Sequence, residues 1–441
     1  MIEFAMLDNG PTDLRIKTMA SGVTLPEGDL EAMHASRRRI TLNQVRMAIL
    51  AEQLGFHYSF FTEHHFQPEG AEHSPSPLIL GAAIAARTKS IRIGQMANIL
   101  SWWHPIRLAE QAAMVDVLSG GRLEFGIGRG AQPRETEIFG QVFGSTSSDD
   151  ERTRAYCDEC YEIIIKAWTQ PSFAHYGEFF SLPPKWVSHH HRQTIEYFSQ
   201  PGIGRNLDQV LQLGEPTGRP IPLYSRSTTL KEMSVYPQPV QKPHPQIWQP
   251  IVVSNRTIRE SARRGINPVF VASAVDRVHA EVTTYYEEAE KHDYPDRLQR
   301  GKFKRGWDCE KRRGVGYFQG VHIVDHGIGD MERTRRGANH VWDFLSEFVP
   351  PGVSSLVPPI VEGNAPCFFG SSQQIIDAYM EIKEAGGYED FLCIAGFTFP
   401  SMSREETEEQ MHAFAQDIMP VLKRECGGSP QLAEPDSALQ I

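Results

Sequence analysis

The stretch Tyr58-Ser59-Phe60-Phe61-Thr62-Glu63-His64-His65 sets a carboxylate and two imidazoles directly after a short aromatic run. Such a run reads as a buried strand, and the point where a strand gives way to a loop is where a (β/α)8 barrel keeps its chemistry. Neighbours on a strand alternate in direction, so His64 and His65 cannot both reach the same spot. A lone histidine is more often a packed or surface residue than a catalyst. Two of them beside an acid at a strand end shift the reading toward function.

Outward from that stretch, strands alternate with amphipathic helices, the pattern of a parallel sheet with helical crossovers. A first strand spans Ile2 to Leu7, and a helix from about Thr41 to Leu54 ends at Gly55. The second strand is Tyr58 to Thr62, and the helix after it opens near Pro77, where proline suits the first turn. Ile91 to Ile99 is the third strand, Pro105 starts a helix that ends at Ser119-Gly120-Gly121, and Leu123 to Ile127 is the fourth. A helix from about Arg152 to Trp168 precedes a long excursion. Ile247 to Val253, Val269 to Ala272, Gly320 to Asp325 and Phe391 to Ala395 complete eight strands, enough to close a barrel. A doubly wound open sheet is the competing architecture. No Rossmann fingerprint supports it, because Gly126-Ile127-Gly128-Arg129-Gly130 is glycine-rich with the wrong spacing.

The chain of 441 residues reads as one barrel domain over 1–426, with insertions or loops at 20–40 and 180–232 and a tail at 427–441. Ser21 to Arg39 looks like a solvated extension, and the long irregular stretch after Phe179 is either a functional lid or disorder. A net charge of −11 argues against a nucleic-acid partner. The N-terminus has no signal-peptide pattern and no apolar stretch approaches a membrane-spanning length, so a cytoplasmic protein without membrane contact is expected. Among six cysteines, Cys157 and Cys160 have CxxC spacing, but with no second pair they read as two helix residues one turn apart. His189-His190-His191 lacks spaced carboxylates or thiols and reads as a polar loop. No metal site is expected.

Further segments follow in order: Thr62-Glu63-His64-His65-Phe66, Ser74-Pro75-Ser76-Pro77, and His104-Pro105-Ile106-Arg107-Leu108-Ala109-Glu110. Then come Ser119-Gly120-Gly121-Arg122-Leu123-Glu124-Phe125-Gly126-Ile127-Gly128-Arg129-Gly130 and Phe139-Gly140. Val235 to Pro245, Phe369-Gly370 and Asp417-Ile418-Met419-Pro420 continue the series. In order and spacing these resemble the bacterial luciferase-like flavin monooxygenases over most of the chain. The resemblance implies a (β/α)8 TIM barrel with long insertion loops and a reduced FMN at its mouth.

Arg129 directly follows the fourth strand between Gly128 and Gly130, which let the backbone approach a ligand closely. Its fork matches phosphate oxygens; its alternative role is to cap a helix or pair with Glu135 or Glu137. Ser254 and Thr257 open the helix after the fifth strand, where hydroxyls and amides suit an anion, although Ser254 also reads as a simple N-cap. Arg154 is the other family-like phosphate ligand, with Arg152 a nearby competitor. His104 is either a helix-start residue or a flavin contact. The resemblance also assigns His64 to the reacting face of the flavin, with Glu63 as its acidic neighbour. It further implies a sharp backbone bend at Met96-Ala97-Asn98, placing Ala97 and Asn98 against the ring. One departure stands out: the light-emitting members carry a cysteine where this chain has Gly128, which argues against a luciferase as such.

The resemblance thus implies a monooxygenase that uses reduced FMN and O2, through a flavin hydroperoxide, on a small organic substrate. A separate NAD(P)H-dependent flavin reductase would supply the reduced flavin, and a homodimer is expected. His64 is the candidate for proton transfer, since imidazole titrates near the operating pH. The rival readings are a deazaflavin-dependent oxidoreductase that moves a hydride without oxygen, and a flavin-binding protein without turnover.

Overall fold

The computed structural model describes residues 2–130, 132–139, 147–185, 192–213, 228–252, 254–271, 274–346 and 367–426. The tail at 427–441 and His189-His190-His191 lie outside them.

Eight parallel strands form the frame: β1 Glu3–Asp8, β2 Tyr58–Phe61, β3 Arg92–Gln95, β4 Leu123–Gly128, β5 Gln246–Ile251, β6 Asn267–Val271, β7 Gly316–Ile323 and β8 Leu392–Gly396. Each pairs with the next, and β8 returns to β1 through Glu3↔Leu392, so the sheet closes into a (β/α)8 TIM barrel. A closed sheet leaves no edge exposed, which excludes the doubly wound alternative.

The helices that concern the site are α1 Leu30–Gln53, α2 Pro77–Ala85, α3 Pro105–Leu118, α4 Ser147–Thr169, α5 Asn255–Arg264, α6 Val275–Lys291, α7 Met331–Ser346, α8 Ser372–Gly386 and α9 Arg404–Ala413. No helix among the described residues is long and apolar enough to cross a membrane. Cys157 and Cys160 lie buried and unbridged on α4.

Three differences from the sequence reading have physical causes. Helix α1 begins at Leu30 and takes in much of the stretch read as a solvated extension. Asp29 caps it by accepting from the Ala32 amide at 2.9 Å, Met33 and Ser36 are buried, and Arg37 donates to the Gly10 and Gln67 carbonyls at 2.9 and 3.1 Å. The basic run is therefore a clasp on the loops after β1 and β2. The third strand stops at Gln95, turns through a cis Met96–Ala97 peptide, and resumes as Asn98–Ile99 paired with β4. In the 180–232 insertion, the described residues contain two short helices, Arg192–Phe198 and Leu207–Val210, and an antiparallel pair, Leu211–Leu213 with Thr228–Leu230.

The barrel is filled toward its N-terminal end. Tyr58, Phe60, Trp248 and Trp307 pack ring against ring at centroid separations of 5.3 to 6.2 Å. Gly94 lies so close to Phe60 that a β-carbon there would overlap the ring. At the strand starts, Glu124 is fully buried and held by Arg92, by Arg312 at 3.0 Å and by the Trp248 indole at 2.6 Å. Glu3 accepts from the Tyr58 hydroxyl at 2.9 Å and the Trp307 indole at 2.6 Å. Aromatic rings and satisfied ion pairs close this end, which leaves the C-terminal rim for a ligand.

Candidate functional site

Glu63, His64 and His65 stand at the C-terminal end of β2, and Arg129 stands at the C-terminal end of β4. Parallel strands put both on the same rim. The side chains of residues 63 and 65 turn one way and that of His64 the other, as alternation requires.

Glu63 is buried, and its oxygens are engaged. Oε2 accepts from the Ile99 amide at 2.7 Å, and Oε1 from the Trp103 indole at 2.8 Å, with His65 Nε2 at 3.4 Å. Burial raises its carboxyl above the usual range, and these hydrogen bonds oppose that rise. The arrangement fastens the segment after β3 to the end of β2.

His64 is set among carboxylates that the sequence reading did not connect with it. Its backbone pairs with Ser74 in both directions, at 3.2 and 3.3 Å, so the loop after β2 folds back and brings Glu72 across from the ring. Nε2 lies 3.3 Å from Glu72 Oε1 and Nδ1 lies 3.7 Å from Glu135 Oε1. Glu135 comes from the short helix Pro133–Ile138 and is 1 % exposed; Glu72 is 4 % exposed. Two amides complete the cluster. Gln132 donates to Glu72 Oε2 at 3.3 Å, and Gln67 donates to Glu135 at 3.2 Å while accepting from the Glu72 amide at 2.9 Å. Burial alone would depress the imidazole, but Glu72, Glu135 and Glu63 outweigh it and raise His64 to about 9. The His64 side chain keeps 20 % of its surface exposed, so the ring is not sealed off.

Gly128, Arg129 and Arg154 line one cleft at the end of β4, together with Leu100, Tyr161 and Glu260. Arg154 is buried and pairs with Glu260 of α5 at 3.0 Å. Ser254 caps that same helix, accepting from the Thr257 amide at 3.3 Å, which is the N-cap role read from sequence; Thr257 is buried in its first turn. A β-carbon on Gly128 would come within 3.3 Å of Ala97 and 2.7 Å of Ile99. Asn98 is buried, donates to the Gly126 carbonyl at 2.9 Å and leaves its Oδ1 without a partner. His104 stands apart: it is exposed, and its Nδ1 accepts from the Ile106 amide at 3.3 Å as the N-cap of α3.

Between the two groups, His65, Phe66, Trp102 and Phe139 cluster at 4.7 to 5.6 Å between ring centroids. Phe66 and Phe139 are exposed, 43 % and 38 %. They form an apolar wall beside the acid and imidazole groups.

A closed parallel barrel with acid, imidazole and guanidinium groups on its C-terminal rim has the layout of a barrel enzyme. Residues 19–201 match the family model of luciferase-like monooxygenases. Over 148 residues the chain is 31 % identical to the oxygenase component of a flavin-dependent trigonelline monooxygenase of Acinetobacter baylyi, covering 34 % of this chain and 39 % of that one. Over 193 residues it is 27 % identical to the alkanal monooxygenase alpha chain of Photobacterium leiognathi, covering 41 % and 52 %. The protein y4vJ of Sinorhizobium fredii is 36 % identical over 155 residues, covering 35 % and 42 %. These matches span about half the length of the curated relatives or less. The fold is similar to monooxygenase RslO1 of Streptomyces bottropensis, with a TM-score of 0.64 at 20 % identity over 95 % of this chain and 99 % of that one. It is also similar to the oxygenating constituent of 3,6-diketocamphane monooxygenase of Pseudomonas putida, solved with FMN, with a TM-score of 0.62 at 16 % identity over 95 % and 98 %. Residues 19–201 are thus similar to the luciferase-like monooxygenases, and the fold of the chain is similar to theirs.

Proposed function

We propose that this protein is a monooxygenase that takes reduced FMN at the C-terminal rim and transfers one oxygen atom of O2 to a small organic substrate. The observation that carries this reading is the convergence of Arg129 and Arg154 on one cleft, on the same rim as Glu63, His64 and His65. Two guanidinium groups suit a phosphate dianion, and Arg154 is already buried, with Glu260 as a partner that a phosphate would displace. Ser254 and Thr257 begin the helix on which Glu260 stands, and the positive end of that helix suits the same anion.

Reduced flavin supplies the electrons that activate dioxygen. The chain's own residues do the rest. Arg129 and Arg154 hold the phosphate, and Ala97 and Asn98 stand beside Gly128 for the ring. The aromatic wall of Phe66, Trp102 and Phe139 excludes water and suits an apolar or aromatic substrate. His64 holds the proton to be delivered and Glu63 holds the rim in place. A separate NAD(P)H-dependent reductase reduces the flavin, a reading supported by a relative that is named an oxygenase component. Ile79 on α2 and Met114, Val117 and Leu118 on α3 are exposed apolar side chains on packed neighbouring helices, which supports a homodimer.

The test is oxygen uptake by purified protein with chemically reduced FMN across a panel of aromatic and aliphatic substrates. Substrate-dependent uptake with an oxygenated product is expected. Binding of a deazaflavin with no binding of FMN would instead establish a hydride-transfer enzyme, and flavin binding with no turnover on any substrate would point to a non-catalytic binder.

A further inference from the structure

The loop between β2 and α2 supplies a carboxylate whose position the reaction outlined above does not by itself require. Glu72 lies in that loop and is almost fully buried, with Oε1 directed at His64 Nε2 and Oε2 engaged by Gln132. Its backbone amide is held by Gln67, and Gln67 also bonds Glu135, so the two carboxylates that face the ring are tied to each other through one glutamine. Burying two carboxylates beside one imidazole costs stability unless the ring carries a proton on each nitrogen. Glu72 lies 3.3 Å from Nε2 and Glu135 3.7 Å from Nδ1, so each nitrogen faces a carboxylate at ion-pair distance, and Nδ1 has no closer acceptor. A neutral imidazole could donate to one of them and would leave the other facing a lone pair.

We propose that Glu72 is a positioning residue that clamps His64 as an imidazolium, making His64 a proton donor in turnover and not a base. The charged and titratable groups around the ring are Glu72 from the loop, Glu135 from the short helix and Glu63 from the end of β2; Arg37 of α1 also acts on the charge of Glu72. Three acids against one imidazole favour the charged ring, and removing one of them weakens that preference. The inference rests on the reading of His64 as the proton donor, and the measurement separates the two.

The experiment is a 13C NMR titration of the histidine Cε1 resonances, assigned with a His64→Gln variant, in the full-length protein and in Glu72→Gln and Glu72→Asp. The pH dependence of turnover with reduced FMN is recorded in parallel. His64 should titrate near 9 in the parent and near its ordinary 6.5 in Glu72→Gln, with Glu72→Asp between. Turnover of Glu72→Gln at pH 8 should fall at least about tenfold relative to its own value at pH 6, a loss that the parent does not show. If the midpoint falls and turnover does not follow, the clamp stands and the role of His64 in turnover fails. A midpoint still near 9 in either folded variant overturns the inference, whatever turnover does.

Discussion

Ser101 donates from Oγ to the carbonyl oxygen of Arg129 at 3.0 Å, which ties the segment after β3 to the turn after β4. Glu63 holds that same segment at the Ile99 amide and the Trp103 indole. The acid of the β2 motif therefore helps place the arginine of the β4 motif.

Replacing Glu63 with Ala should lower stability clearly, because the buried Ile99 amide loses its acceptor at about 1–3 kcal/mol and the part-buried Trp103 indole loses its own. Glu63→Gln keeps one acceptor oxygen and should lose less. Thermal melts and FMN titrations of both variants check this. A Glu63→Ala protein that melts with the parent would leave Glu63 without a holding role.

Arg129→Ala and Arg154→Ala should each weaken FMN binding by about tenfold to a hundredfold, the scale of a charged hydrogen bond of about 1.5–3 kcal/mol. Riboflavin, which lacks the phosphate, should bind parent and variants alike. An equal loss for both flavins would mean that the arginines shape the pocket without reading phosphate.

His64→Ala should leave FMN affinity within a few fold and lower turnover by about a hundredfold or more, as removal of a proton-transfer group does. Turnover within twofold of the parent would remove His64 from the chemistry.

Two histidines give stability opposite pH dependences. His64 is raised to about 9 in the fold, so its contribution is complete below its unfolded value of 6.5 and is lost as pH rises through 9. His322 is fully buried beside Thr334, and burial with the Arg333 charge lowers it to about 4. Its contribution is present above 6.5 and is lost as pH falls through 4. Urea midpoints measured from pH 4 to 9.5 should decline at both ends. In His64→Gln the alkaline decline should flatten and the acid one persist.

Gly126 on β4 lies against the Gln95 carbonyl, and a β-carbon there would overlap it. Gly126→Ala should cost about 1–3 kcal/mol and loosen the cleft lined by Gly128 and Arg129 just beyond it. A melt unchanged from the parent would show that the β3–β4 seam yields without strain.

The strand frame was legible because each strand is a compact apolar or β-branched run bounded by turn residues, and the TyrSerPhePhe run ends within one residue of its reading. The seventh strand begins four residues early, at Gly316 and not Gly320; Gly316 fits where a side chain would crowd Val269 and Ile394, and a glycine gives no strand signal in sequence. Helix α1 was cut short in the sequence reading because Arg37, Arg38 and Arg39 look solvated until their partners are known. Two of those partners, the Gly10 and Gln67 carbonyls, are main-chain groups without any sequence signature. The rim residues next to glycines or strand ends were legible by position. The link of Glu72 and Glu135 to His64 was not, since Glu72 reads as a surface acid and Glu135 as a possible partner of Arg129, and only the back-folded loop after β2 and the short helix after β4 carry them to His64.

On the proposed reading one rim holds FMN between Arg129 after β4 with Arg154 of α4 and His64 after β2. A crystal structure of the protein with FMN tests it most directly. The phosphate should lie within hydrogen-bond distance of Arg129 and Arg154, with the ring over Ala97 and its reactive edge toward His64. A phosphate bound elsewhere, or a ring turned away from residue 64, would contradict it.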